Sequence, residues 1–254
     1  VSITSQDFQR ARRPEQVRLR RHAILDTAMA MLRERPVAEI SLRDLSERVG
    51  LAKSGMLRYF DSKEAIFLEV LDRTRTEWLA GLTAELPRPA TRETGAPFAE
   101  PFAAETAVAA AIAGSLARQP LLCELVSVTG GVLERNISAG FARTFRQRAE
   151  AGTDRLSVLI RGCLPELRAE QARVAASAVF VLVAGLWPYA TPTAAVAALA
   201  GVPGGERERF AAELGEALAN QLAGISARAA HVPRRPGVYR TAEHTAAQRK
   251  GPTR

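Results

Sequence analysis

Four residues in one short stretch, Lys53, Ser54, Gly55 and Arg58, combine hydrogen-bond donors with small side chains at helical spacing. Lysine and arginine donate to guanine edges or to phosphates, whereas serine and glycine let a backbone come close to a base edge. Tyr59 and Lys63 follow one turn later, where they can hold phosphates beside a groove; Lys63 also opens a helix, whose free amides and dipole favour an anion. The chemistry on offer is recognition of a polyanion rather than bond making. Of three histidines, His231 and His244 lie in the last segment and His22 on a basic helix, and neither a Gly-rich phosphate loop nor a nucleophile motif is present. An enzyme is not expected, nor is a cofactor.

These residues need helices to present them. Pro14 suits the first turn of a helix, and Val17, Ile24, Leu25, Ala28, Met31 and Leu32 recur at helical spacing as far as Pro36. Ser41-Leu42-Arg43-Asp44 is a capping-box pattern that starts a second helix, with Leu42, Leu45 and Val49 inward and Gly50 suited to close it. After a turn of Gly50, Leu51 and Ala52, a third helix is predicted over 53–60 with Met56 and Phe60 on its inner side. Asp61 or Ser62 then caps a longer fourth helix carrying Ile66, Phe67, Val70, Leu71 and Trp78. A helix, a tight turn and a helix with small or polar residues outward is the pattern that enters a DNA major groove.

The stretch from Ser41 to Glu64 resembles the tetracycline-repressor (TetR) family. Its most specific parts are Gly50-Leu51-x-Lys53-Ser54-Gly55 and Tyr59-Phe60-x-Ser62-Lys63-Glu64, and with the first helix the resemblance covers about residues 18–80. It implies an all-α protein with an N-terminal three-helix helix-turn-helix domain and a larger helical ligand-binding and dimerisation domain. It also implies a ligand-responsive bacterial transcription regulator, usually a repressor, acting as a cytoplasmic homodimer on a double-stranded DNA operator. Arg43 and the start of the third helix are then expected to face bases, and Tyr59 and Lys63 phosphates; the full expected set is Ser41, Arg43, Lys53, Ser54, Gly55, Leu57, Arg58, Tyr59 and Lys63. Two positions depart from the family pattern. Ala52 stands where a serine cap is frequent, at a cost of about 1 kcal/mol of helix stability. Leu57 stands where a groove-contacting tyrosine is common, and reads either as a contact to a thymine methyl or as core packing.

The remaining chain divides by composition. Residues 1–13 read as a basic arm, 14–81 as the DNA-binding domain, 82–101 as a Pro- and Gly-rich linker, 102–230 as a helical regulatory domain and 231–254 as a disordered basic tail. Helical patterns run over about 102–118, 120–135, 137–163, 166–190, 192–200 and 206–230. The uncharged run around 174–187 and the amphipathic stretch 210–225 suit a four-helix interface across a two-fold axis. A small-molecule effector would meet apolar and aromatic side chains, for which Trp78, Leu122, Val126, Thr129, Phe141, Phe145, Phe180 and Trp187 are candidates, each also readable as ordinary core. Gly130-Gly131 marks either a flexible wall or tight packing.

Bulk properties agree with this division. With 47% hydrophobic and 24% charged residues the 254-residue chain can bury a core, and 6% aromatics with few β-branched alternations favour helices over sheets. The net charge of +8 is uneven: residues 1–81 carry 15 basic and 12 acidic groups, 82–230 carry 14 of each, and 231–254 carry 6 and 1. Arg10, Arg12, Arg13, Arg18, Arg20 and Arg21 form a cluster set against Glu15 alone, readable either as a polyanion contact or as a solvated helix face. Cys123 and Cys163 sit in apolar surroundings without metal-ligand spacing, so Cys123 is expected to be a buried small apolar residue, with redox sensing as the alternative. The first residues are polar, without a secretory leader, and the apolar run 174–187 is shorter than the roughly 20 residues of a membrane span, so no membrane partner is expected. The competing function is a ligand-independent DNA organiser or protein-partner module on the same fold.

Overall fold

A computed structural model of the protein describes residues 5–88, 100–191 and 205–231. Among the described residues all regular structure is helical: α1 (Ser5–Glu34), α2 (Leu42–Val49), α3 (Lys53–Met56), α4 (Lys63–Glu85), α5 (Ala103–Ala117), α6 (Pro120–Val128), α7 (Ala139–Cys163), α8 (Ala169–Ala190) and α9 (Glu206–His231), with 3-10 turns at Val37–Glu39 and Leu133–Asn136.

Local chemistry sets the boundaries around the third helix. Ser41 Oγ accepts from the Asp44 amide at 3.1 Å while the Asp44 carboxylate accepts from the Ser41 amide at 2.9 Å, so α2 starts on a reciprocal capping box. It stops at Gly50, whose φ of 72° and ψ of 35° lie in the left-handed region that penalises a β-carbon. Ser62, not Asp61, caps α4 by accepting from the Ala65 amide at 3.1 Å.

Four boundaries differ from expectation. The first helix begins at Ser5, so Pro14 lies inside it; Gln, Arg and Ala are good helix formers and carry the helix upstream of the proline. The third helix ends at Met56, because the amides of Tyr59 and Phe60 both turn back to the Met56 carbonyl at 2.9 and 3.2 Å. The fourth continues to Glu85, carrying buried Leu82 into what composition marked as linker. The helix expected over 120–135 ends at Val128, where exposed Gly130 and Gly131 break it; space is open around both, so tight packing is not their role. The expected helix over 192–200, most of the linker and the tail from 232 onward lie outside the described residues.

One continuous apolar core holds both halves together. Ile24, Ala28 and Met31 of α1 pack with Ile66, Phe67 and Val70 from the first half of α4, and Trp78, Leu79 and Leu82 carry the second half into the larger bundle. There the Trp78 indole N–H donates to Ser115 Oγ at 3.0 Å, and the Ser115 hydroxyl donates to the Ile112 carbonyl at 2.8 Å, which satisfies both buried polar groups. α9 lies along α5, and α8 sits against α6, α7 and α9. α8 buries Ala172, Ala176, Val179, Val183 and Trp187 but leaves Val174, Val181 and Tyr189 at 54, 70 and 82% exposure. As a whole it is long and apolar enough to cross a membrane by length and composition, which the 174–187 core alone did not suggest.

Candidate nucleic-acid interface

The capping box and the turn at Gly50 present one exposed ridge. Lys53, Ser54, Leu57 and Arg58 are exposed, Gly55 is half-buried, and Met56 and Phe60 point into the core at 0 and 3% exposure. Neither Lys53 nor Arg58 is engaged in an ion pair among the described residues, so both charges stand ready for an anion. Ala52 caps α3 without a side-chain hydrogen bond. Leu57 is 45% exposed, so of its two readings core packing is overturned. Arg43, on α2, is exposed and held by Glu47 at 2.7 Å, one turn along the same helix. Ser41 is exposed, with its hydroxyl committed to the cap.

Two basic residues near the ridge serve the fold first. Lys63 Nζ donates to the Ile40 carbonyl at 2.9 Å, tying the start of α4 to the segment before α2 through one of the donors of its ammonium. Arg21, which the sequence places in the basic cluster of α1, is half-buried: its guanidinium lies 4.1 Å over the Phe60 ring, donates to the Tyr59 carbonyl and pairs with Glu69. Tyr59 is half-buried beside it. Arg21 falls on the same helical face as Ile24, Leu25 and Ala28, and that register was the available signal.

The eight effector candidates separate. Phe141 and Phe145 line a cleft of about 230 Å³ between α4 and α7, together with Leu68, Asp72 and Arg148. The other six pack elsewhere. Trp78 meets Phe180 edge-on with centroids 6.1 Å apart; Trp187 meets Phe210 likewise at 4.9 Å and donates to Glu124 at 3.3 Å. Leu122 is buried, while Val126 and Thr129 are half-buried, Thr129 donating to the Leu125 carbonyl at 2.6 Å.

Beside the cleft, α4 is clamped to α7 by polar contacts that sequence reasoning missed. Ser138 Oγ donates to Asp61 at 2.9 Å and caps α7 by accepting from the Phe141 amide at 3.3 Å. Asp72 accepts from buried Arg75 at 2.6 Å and lies 3.6 Å from Arg148 of α7. Burial pushes the Arg75 guanidinium pKa below its ordinary value, opposed by Asp72. Cys123 is fully buried, its thiol directed at the Leu116 carbonyl at 3.4 Å and pushed by burial up to about 12.

Known proteins share both halves. Residues 24–70 match the bacterial regulatory proteins of the tetR family, and residues 72–229 match the tetracycline repressor-like C-terminal domain family. The chain is 47% identical over 51 residues to the HTH-type transcriptional regulator EthR of Mycobacterium tuberculosis and to that of Mycobacterium bovis; the match takes in 20% of this chain and only 24% of those relatives. A TetR transcriptional regulator from Rhodococcus sp. RHA1 superposes with a TM-score of 0.51 at 14% identity, over 82% of this chain and 96% of that one, which is a likeness of fold.

Proposed function

Because the chain belongs to the tetracycline-repressor family of bacterial transcriptional regulators, we propose that it is a homodimeric repressor that reads a DNA operator through α3 and leaves it when a small molecule occupies the helical domain. The observation that carries this reading is the ridge of Lys53, Ser54, Leu57 and Arg58, outward while its neighbours Met56 and Phe60 are buried. Such a ridge has the size and donors to enter a major groove. One short helix covers few base pairs, so paired half-sites would supply the affinity. The uncharged exposed face of α8, with Val174, Ser177, Val181, Gly185 and Tyr189, suits pairing with a second copy better than contact with water.

Release by a ligand is supported by the cleft between α4 and α7, since a molecule wedged there would bear on Asp61 and Asp72, which hold α4 to α7. A ligand shifts such an equilibrium only through its differential affinity, about 5.5 kcal/mol for a swing from 99:1 to 1:99. Family members are regulators, and no reaction is proposed. The test is a gel shift on promoter-proximal duplex, with and without candidate effectors. Retarded duplex released by an effector supports the reading, and a dimer that binds no duplex at low salt refutes it.

A further inference from the structure

The arginine cluster before Ile24 is not used by the recognition ridge, and the structure divides it. Arg21 is the anchor: its contacts to Tyr59, Phe60 and Glu69 pin α1 beside the turn that ends α3. Amino-terminal to Arg21 the chain continues as helix back to Ser5. At 1.5 Å per residue this is about 24 Å of helix, which spans about seven base-pair steps of 3.4 Å. Within it lie Arg10, Arg12, Arg13, Arg18 and Arg20, against Asp7 and Glu15. Arg18 and Arg20 are exposed and form no ion pair among the described residues, and Val17 and Leu19 are exposed at 46 and 66%. Residues 14–20 are all exposed, so this stretch of helix turns arginine outward without burying it on the domain, which suits a polyanion outside the chain.

We infer that the amino-terminal part of α1 is a second DNA contact, a helical arm that binds backbone phosphates flanking the half-site read by α3. Duplex DNA is favoured over an anionic membrane surface because Arg21 fixes the root of the arm next to the recognition ridge, so a groove occupied by α3 brings the flanking phosphates toward it. The arm adds affinity and salt dependence without sequence preference. The inference rests on the regulator reading above.

The experiment uses the full chain and a duplex recovered by selection from random sequence, in two lengths: the selected core, and the core with about ten further base pairs on each side. The variant R10Q/R12Q/R13Q/R18Q/R20Q removes the charge but keeps good helix formers, and leaves Arg21 in place; circular dichroism checks its helix content. Anisotropy titrations between 50 and 200 mM salt are expected to show the wild type binding the long duplex about tenfold or more tightly than the core. The variant is expected to bind both lengths alike, with a salt slope on the long duplex reduced by about 2 to 4, since each phosphate contact contributes about 0.9. An unchanged slope, or an equal loss on both lengths, overturns the arm. So does a variant that loses only its binding to phosphatidylglycerol vesicles. A K53A control is expected to bind the core about tenfold or more weakly while still preferring the long duplex, which keeps failure of the ridge separate from failure of the arm; a wild type that binds neither duplex overturns both.

Discussion

The buried guanidinium of Arg75 lies against Gly152, so close that a β-carbon at residue 152 would stand 2.9 Å from Nε and 3.3 Å from Cδ. A glycine inside a long helix is unfavourable by about 1 kcal/mol relative to alanine, and here it lets α7 approach α4. Gly152→Ala is therefore expected to lower stability by about 1–3 kcal/mol in spite of the better helix former, because Arg75 must leave Asp72. In an Arg75→Met background, with a flexible unbranched side chain at that place, the same change should turn neutral or stabilising. Urea denaturation of the four proteins checks the reversal, and equal losses in both backgrounds would contradict the contact.

Lys53 and Lys63 should part company under mutation. Lys53→Ala removes an exposed charge that has no ion-pair partner among the described residues, and is expected to leave the melting temperature unchanged while weakening duplex binding about tenfold or more. Lys63→Met removes the bond to the Ile40 carbonyl and should cost about 1–2 kcal/mol of stability. Parallel calorimetry and anisotropy titrations separate the two, and a Lys63→Met protein of full stability would count against its anchoring role.

Val181 is 70% exposed on α8, so Val181→Arg should leave the isolated chain folded. If two copies meet through this face, each arginine is buried opposite its equivalent across the two-fold axis. Sedimentation is expected to change from dimer to monomer, with unaltered circular dichroism.

The Asp44 carboxyl is held below its ordinary value of 3.8, first by the Ser41 backbone amide and then by the Ser41 hydroxyl, and Glu34 below 4.5 by Arg48. Both native values are depressed, so the stability they contribute is fully present above the ordinary carboxylate range. It is lost as the pH falls through that range towards the lower native values. Asp44→Asn should flatten this acid-side slope, which thermal melts between pH 6 and pH 3, a window of about three units around the ordinary values, would reveal.

Cys123, fully buried with its thiol pushed up to about 12, should resist Ellman's reagent at neutral pH until the protein unfolds. Rapid labelling of the native protein at Cys123 would reopen the redox-sensing alternative.

The DNA-binding half was legible in the sequence wherever a boundary rests on neighbours a few residues apart. The Ser41–Asp44 cap, the left-handed Gly50 and the Ser62 cap follow from side chains within one turn of the groups they satisfy. Contacts between distant segments were not legible. Arg21 over Phe60, Ser138 on Asp61 and Arg75 under Gly152 join residues far apart in the chain, which patterns running over a few positions cannot pair. Aromatic residues pointed only vaguely to an effector site, because core and cleft draw on the same side chains: Trp78 and Phe180 pair edge-on, while Phe141 and buried Phe145 line the cleft. Pro14 misled, since a proline tolerated at a first turn can also sit within a helix that begins upstream.

α4 is a single unbroken helix of 23 residues whose first turns belong to the domain that carries α3 and whose last turns pack in the larger bundle. It is a rod of about 34 Å. A pivot of only some six degrees at its far end would carry the near end sideways by about 3.5 Å, close to the rise of one base pair. Two such rods swinging in opposite senses would put a pair of reading heads out of phase with the grooves, with neither head needing to unfold.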